Sequence, residues 1–389
     1  MKKNLIAMAV ATLVAPVIAS AEDDVTVYGM AQVEVASFDP QGEGDSAVDV
    51  VDNARGRLGV VATEDLGSGL KGLAKFEFKL DTADGNSSTV CGDLTTAAPE
   101  LNLDTNGDGV ADAYDHDGDG TADALPLTGA SCSSSGVALT SRELFVGLKG
   151  GFGQVELGRL KSAYKYAGGV AYDPFVTTTL EARKNGGMSK GDFGHTGFVS
   201  KSVGYNSPKL GPVGLRVTYA PSEDDSAYTA SAKAEFKMGE VLVALADQGD
   251  RVSGKEYSTW KIGGQLRLAG GAHKLALQYE GTDQKEKATN TKKEISNKPT
   301  YLFAGYQGTF GKSTFVAQFG LNDSDLKDNP NTPDVDESQG KSKDTTYYAL
   351  GAIYKFSKNT RVFGGYRVSD VDDDSGQSVI SIGMRKDFK

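Results

Sequence analysis

The chain has 389 residues, of which 39% are hydrophobic and 24% charged, with 49 Gly and a single Trp. No stretch beyond the N-terminus reaches the ~20 apolar residues that a membrane helix needs, so a helical membrane protein is excluded. The 41 basic and 52 acidic residues leave a formal charge of -11. That balance argues against a nucleic-acid binder, whose mark is a basic patch or stripe, and favours cationic or divalent company.

Residues 1–21 read as a secretory signal, with Lys2 and Lys3 at the start, an apolar stretch from Leu5 to Ile18, and the small-residue cleavage site Ala19-Ser20-Ala21. The mature chain is then 22–389. The leader holds two Lys and no acid, which leaves 39 bases against 52 acids. Export implies an oxidising compartment, where Cys91 and Cys132 are expected to form one intramolecular disulfide.

From Val25 onward the dominant pattern has period two, which selects strands. Candidate strands lie at 25–38, 54–62, 70–82, 141–149, 153–159, 199–207, 212–220 and 226–236. Eight more lie at 239–247, 257–268, 272–282, 300–310, 313–322, 344–356, 359–369 and 376–388. In the third of these, Gly72, Ala74, Phe76, Phe78 and Leu80 alternate with Lys71, Lys75, Glu77, Lys79 and Asp81. Tight turns such as Lys237-Met238-Gly239 and Phe310-Gly311-Lys312 take turns with long polar loops. Tyr219, Trp260, Tyr279, Tyr306, Phe310, Tyr348, Tyr354, Phe356 and Tyr366 fall on the apolar parity, as the interfacial girdles of a membrane barrel do. The expected fold is therefore all-β, a transmembrane antiparallel β-barrel of sixteen strands. A sheet in hydrocarbon must close to satisfy its edge groups, and at this size the lumen holds water. Passage of small hydrophilic solutes follows.

Between the third and fourth strands, residues 83–140 form a long insertion. Within it, 104–123 carries two overlapping calcium-type repeats that share Asp115. Asp104, Asn106, Asp108 and Asp112, then Asp115, Asp117, Asp119 and Asp123, place oxygens at positions one, three, five and nine. Gly109 and Gly120 stand at position six, and the carbonyls of Val110 and Thr121 at position seven. Hard oxygen donors at this spacing point to structural calcium. Cys91 and Cys132 bracket the repeats, so a calcium-ordered, disulfide-pinned cap is expected.

Several segments in fixed order carry a resemblance. Val25-Thr26-Val27-Tyr28-Gly29 opens the first strand, and Arg57-Leu58-Gly59 lies in the second. Phe145-Val146-Gly147-Leu148-Lys149-Gly150 precedes Leu157-Gly158-Arg159, and Tyr205-Asn206-Ser207-Pro208 and the final Gly383-Met384-Arg385-Lys386-Asp387-Phe388 complete the set. The whole mature chain resembles the general diffusion porins of Gram-negative outer membranes. The resemblance implies a homotrimer, contact with outer-membrane lipid and lipopolysaccharide, and a third loop folded inward to narrow each pore. It departs at the C-terminus, which ends Phe388-Lys389, and at Met30, where some relatives carry a base.

The third loop is expected within 161–196, where Asp173-Pro174-Phe175 is similar to a motif of the family's loop. Asp173, Glu181 and Asp192 are its candidate constriction acids. Arg57 and Arg142, which align with family bases, and Lys75 and Lys79, inward by parity, are the candidate opposing wall. Acids on the loop facing bases on the wall would set a transverse field and a weak charge selectivity. The acidic total suggests a mild cation preference, which inward Lys and Arg would oppose. The alternative is a plugged or substrate-selective barrel acting mainly as a calcium-dependent adhesion or structural protein. No nucleophile and base suited to catalysis stand out beside His116, His195 or His273, so no enzymatic activity and no organic cofactor are expected.

Overall fold

The computed structural model describes residues 24–42, 44–52, 56–83, 140–189, 197–222, 226–249, 255–288, 294–324, 344–372 and 376–389. The leader, the repeats at 104–123, Cys91, Cys132 and Asp192 lie outside these residues.

In chain order the strands begin with β1 (Asp24–Pro40), β2 (Ala47–Val51), β3 (Gly56–Gly67), β4 (Leu70–Leu80), β5 (Thr140–Gly150) and β6 (Gly153–Lys161). They continue with β7 (Phe198–Asn206), β8 (Val213–Ala220), β9 (Ala227–Phe236), β10 (Gly239–Asp247), β11 (Lys255–Leu268) and β12 (His273–Glu286). The last six are β13 (Ile295–Asn297), β14 (Thr300–Phe310), β15 (Ser313–Asp323), β16 (Thr345–Lys355), β17 (Thr360–Val371) and β18 (Gln377–Phe388). β2 and β13 are short additions in long loops, pairing with β1 and β12, and their brevity hid them from the sequence pattern. The other sixteen strands are those expected, each joined to its chain neighbours, with β1 pairing β18 from Gly29↔Phe388 to Pro40↔Gln377. Every pairing is antiparallel, so the ladder closes without a free edge, as hydrocarbon requires.

Alternation decides which face each residue takes. The nine aromatic residues expected outside are 36% to 58% exposed, and Leu245, Ile262, Leu277 and Leu350 stand with them. Inside, one arc is polar and charged, while another is small and apolar. Leu242, Ala244, Ala276, Val316, Ala349, Ile353 and Phe363 occupy inward positions of β10, β12 and β15 to β17 and are buried. They pack with Tyr164, Tyr172, Phe175, Leu180 and Met188 from the loop after β6, so the hydrophobic core of this barrel lies within its lumen.

Candidate functional site

The loop after β6 begins with a short helix, α1 (Ala163–Tyr166), capped by Ser162, whose Oγ accepts from Lys165 N. From there the chain leaves its own strands and travels along the far wall. Ala163 N donates to Thr229 Oγ1 on β9 at 2.7 Å, and Gly169 N to Gln278 Oε1 on β12 at 2.8 Å. Gln318 Nε2 on β15 donates to Asp173 Oδ1 at 2.7 Å. The tip reaches β1, where Gln32 donates to the Thr177 carbonyl and Glu34 accepts from Thr179 N and Oγ1 at 3.0 and 2.9 Å. The return passes Tyr347 OH, which donates to the Leu180 carbonyl at 2.6 Å, and Ser369 Oγ, which donates to the Asn185 carbonyl at 2.7 Å.

Glycine makes this seat possible on β15. A Cβ on Gly320 would stand 2.5 Å from the Cα of Gly187, so the loop backbone rests directly on the strand. Both ends of the excursion meet at one carboxylate. Glu280 Oε2 on β12 accepts from Tyr164 OH at 2.6 Å and from Ser189 Oγ at 2.5 Å, while Oε1 accepts from Gln278 Nε2 at 2.8 Å. Its register partner across the ladder is Lys261, 1% exposed, whose ammonium lies 4.1 Å from the Tyr164 ring centroid.

The opposite arc, β3 to β8, is left facing the passage. Its strands carry Arg57, Lys75, Lys79, Arg142, Arg159, Lys161 and Arg216 against Glu77, Glu143 and Glu156. Arg142 reaches inward through a register shift between Glu77 and Phe78, and its Nε donates to Glu77 Oε1 at 2.9 Å. Tyr28 OH donates to the other oxygen of Glu77 at 2.8 Å. Glu143 binds Lys75 and, at 3.0 Å, Lys161, while Glu156 meets Arg216 at 3.3 Å. These carboxylate side chains are only 3% to 5% exposed, whereas Lys75, Arg142, Lys161 and Arg216 keep 12% to 22%. The acids lie beneath and the bases show to water. Phe198 gathers three more cationic contacts, with Lys165, Arg142 and Arg159 at 4.0, 5.0 and 5.5 Å from its centroid.

A family model described as Gram-negative porin matches residues 7–374. The chain belongs to the Gram-negative porin family. It is an outer-membrane channel for the diffusion of small solutes. Major outer membrane protein P.IB of Neisseria meningitidis is 25% identical to this porin over 382 residues, covering 92% of this chain and 91% of the relative. Among solved structures, the anion-selective porin from Comamonas acidovorans superposes with a TM-score of 0.68 at 19% identity, covering 94% of this chain and all of that one. OmpT of Vibrio cholerae, described in a trimer form, superposes at 0.56 with 15% identity over 94% of this porin and 99% of its own chain. These two likenesses concern the fold.

The porin brings Arg57, Lys75, Lys79 and Arg142 together on one wall, the first and third being direct register partners. Asp173 and Glu181 do not oppose them across water, which corrects the expected facing arrangement. Both are buried, at 2% and 0% exposure. Asp173 organises the loop by accepting from Phe175 N at 2.8 Å and Ala182 N at 2.9 Å, and Glu181 accepts from Thr177 N at 3.0 Å and pairs with Arg183 at 2.8 Å. The physical reason is local, because a tight loop leaves backbone N–H groups that need acceptors within it. Lys161, Arg159, Arg216 and Glu280 were not among the sequence candidates for this site, and Glu34 was marked only as lumenal by parity; Arg159 and Lys161 share the parity of outward Leu157, and the register shift between Gly158 and Leu160 that separates them from it has no signature in the pattern.

Burial raises the Asp173 carboxyl to about 6, with its hydrogen bonds opposing the shift and the charge of Glu181 adding to it. A group whose proton is held more tightly in the seated loop stabilises that state fully below its ordinary range near 4, and the gain is lost as pH rises through about 6. Loop-opening events in single-channel records are therefore expected to become rarer as pH falls from 7 to 5. A frequency that rises on acidification would contradict this.

Proposed function

We propose that this porin passes small hydrophilic solutes with anions favoured over cations. The observation that carries the proposal is the asymmetric burial of charge, with the wall carboxylates and the loop acids covered while Lys75, Arg142, Lys161 and Arg216 stay open to the lumen. A one-sign lining in a low-dielectric wall concentrates counter-ions locally, whereas acids in distant loops are screened within about 8 Å at physiological salt. The mild cation preference suggested by total charge is thereby reversed. The anion selectivity named for the Comamonas acidovorans porin is in keeping with this reading. Liposomes bearing the porin are expected to swell several-fold faster in gluconate than in a cationic solute of equal size. Equal or inverted rates would refute the anion preference.

The same proposal includes a homotrimer, built on the outer face of β18, β1 and β3 to β6. Outward residues there include Ile380, Ile382, Val27, Leu58, Phe76, Val146 and Leu157, with no Tyr or Trp, whereas β7 to β17 carry Tyr205, Tyr219, Trp260, Tyr279 and Tyr348. Tyr and Trp anchor barrels at the lipid interface. An arc without them suits a second copy of the chain. Ile382→Arg is expected to convert the assembly to monomers in detergent, measured by light scattering after chromatography, and an unchanged mass would count against this face.

Calcium belongs to the proposal through the spacing of residues 104–123 alone. Chelation is expected to lower the assembly's melting temperature, and so is Cys91→Ser; indifference to both would remove calcium and the disulfide from the account.

A further inference from the structure

Beyond the basic wall, the lumen holds a second cationic feature on its opposite side. Where the third loop returns over β14 to β18, at the long-loop ends of these strands, a cavity of about 320 Å³ opens, within the size range of small-molecule sites. Arg367, Lys184, Asn322, Gln377, Tyr301 and Ser369 line it, and among the described residues no carboxylate does.

Arg367 is 3% exposed. Its Nη1 donates to Ser369 Oγ at 2.9 Å and to the Gln377 carbonyl at 3.4 Å, and its Nη2 to Gln377 Oε1 at 2.9 Å. All three acceptors are neutral. Nε has no hydrogen-bond partner among the described residues, and Asn322 Oδ1 on the lining of the same cavity is likewise a buried acceptor without a donor among them. Lys184, on the returning loop, brings a second positive group to the same lining. Buried charges in proteins are paired, because an isolated one is costly, and each buried unsatisfied polar group calls for an explanation. An oxyanion would answer Arg367, and a hydroxyl on the same solute would answer Asn322.

We infer that this cavity is a binding subsite for a small hydroxylated oxyanion, a carboxylate or a phosphate monoester, held by Arg367 and Lys184 as it enters from the long-loop side. The subsite makes the porin a binder of such solutes and not only a sieve for them. It is separate from the wall of β3 to β8, so an anion preference without binding refutes the subsite alone, and binding without anion preference refutes the wall alone.

The test uses the full-length protein in planar bilayers at constant ionic strength. Inorganic phosphate, gluconate or glucose is added to the long-loop side, and interruptions of the single-channel current are counted. Phosphate or gluconate is expected to interrupt the current in a saturable way, with glucose at least tenfold weaker; which of the two acts assigns the group recognised. Arg367→Met should raise the half-blocking concentration at least tenfold, equivalent to about 1.4 kcal/mol. Asn322→Asp places a carboxylate on the lining of the same cavity and should do the same with Arg367 retained, so it decides the matter should Arg367→Met fail to fold. Equal interruption by glucose, no interruption by either anion, or unchanged block in Asn322→Asp would overturn the subsite.

Discussion

Glu280→Gln is expected to loosen the third loop along its whole length while leaving the barrel closed. The carboxylate holds the outgoing end through Tyr164 and the returning end through Ser189, and it stands opposite Lys261 in a site that water barely reaches. Removing one member of a buried charged group costs about 3–5 kcal/mol, because the remaining charge loses its compensation. A bond to a neutral acceptor elsewhere in the loop is worth only about 0.5–1.5 kcal/mol. Thr229→Ala, which removes the acceptor of Ala163 N, therefore serves as the mild comparison. In native-state hydrogen exchange, amides of residues 163–189 should lose protection by a factor on the order of 10²–10³ in Glu280→Gln and by about tenfold or less in Thr229→Ala. Strand amides of β14 to β17 should keep theirs. Equal effects of the two variants would show that the loop is held by distributed packing and not by a clasp.

Replacing Arg57 and Lys79 together by Glu should abolish or invert the anion preference. The two face each other in register across β3 and β4, so the double change moves the local charge by four units while Arg142, Lys75 and Lys161 remain paired with Glu77 and Glu143. Two unit charges at 4 Å interact by about 1 kcal/mol even in bulk water, so the permeability ratio should shift on the order of tenfold at 0.1 M salt. At 1 M, where the screening length is about 3 Å, most of the difference should vanish. Arg142→Gln is a poorer probe, because it strips Glu77 of its Nε donor and mixes stability with selectivity. A salt-independent shift, or none, would place the selectivity elsewhere.

Much of the architecture was legible in the sequence because a strand in a membrane barrel must alternate. Leu70–Leu80 showed its oily and charged faces plainly, and the same period located all sixteen wall strands. Lys75 and Lys79 followed from parity, and Arg57 and Arg142 from their likeness to family bases. The bulge that brings Arg142 inward beside Glu143 breaks the period and has no signature in the pattern. The loop acids were misassigned for a different reason. Sequence gives the charge of Asp173 and Glu181, but whether a carboxylate meets water or the loop's own N–H groups depends on a chain path that periodicity does not describe. One available signal went unused: inward positions such as Leu242, Val316, Ala349, Ile353 and Phe363 are apolar where a water-filled lumen asks for polar residues. Such positions mark the arc on which the loop lies.

The central claim is that the open side of the lumen is basic and governs which ions pass. It is tested most directly by the zero-current potential of the purified wild-type protein in a planar bilayer across a tenfold KCl gradient. The account predicts stepwise openings and a potential whose sign reports chloride as the more permeant ion, shrinking as both solutions are made more concentrated. A potential of the opposite sign, reporting potassium as favoured, would contradict it.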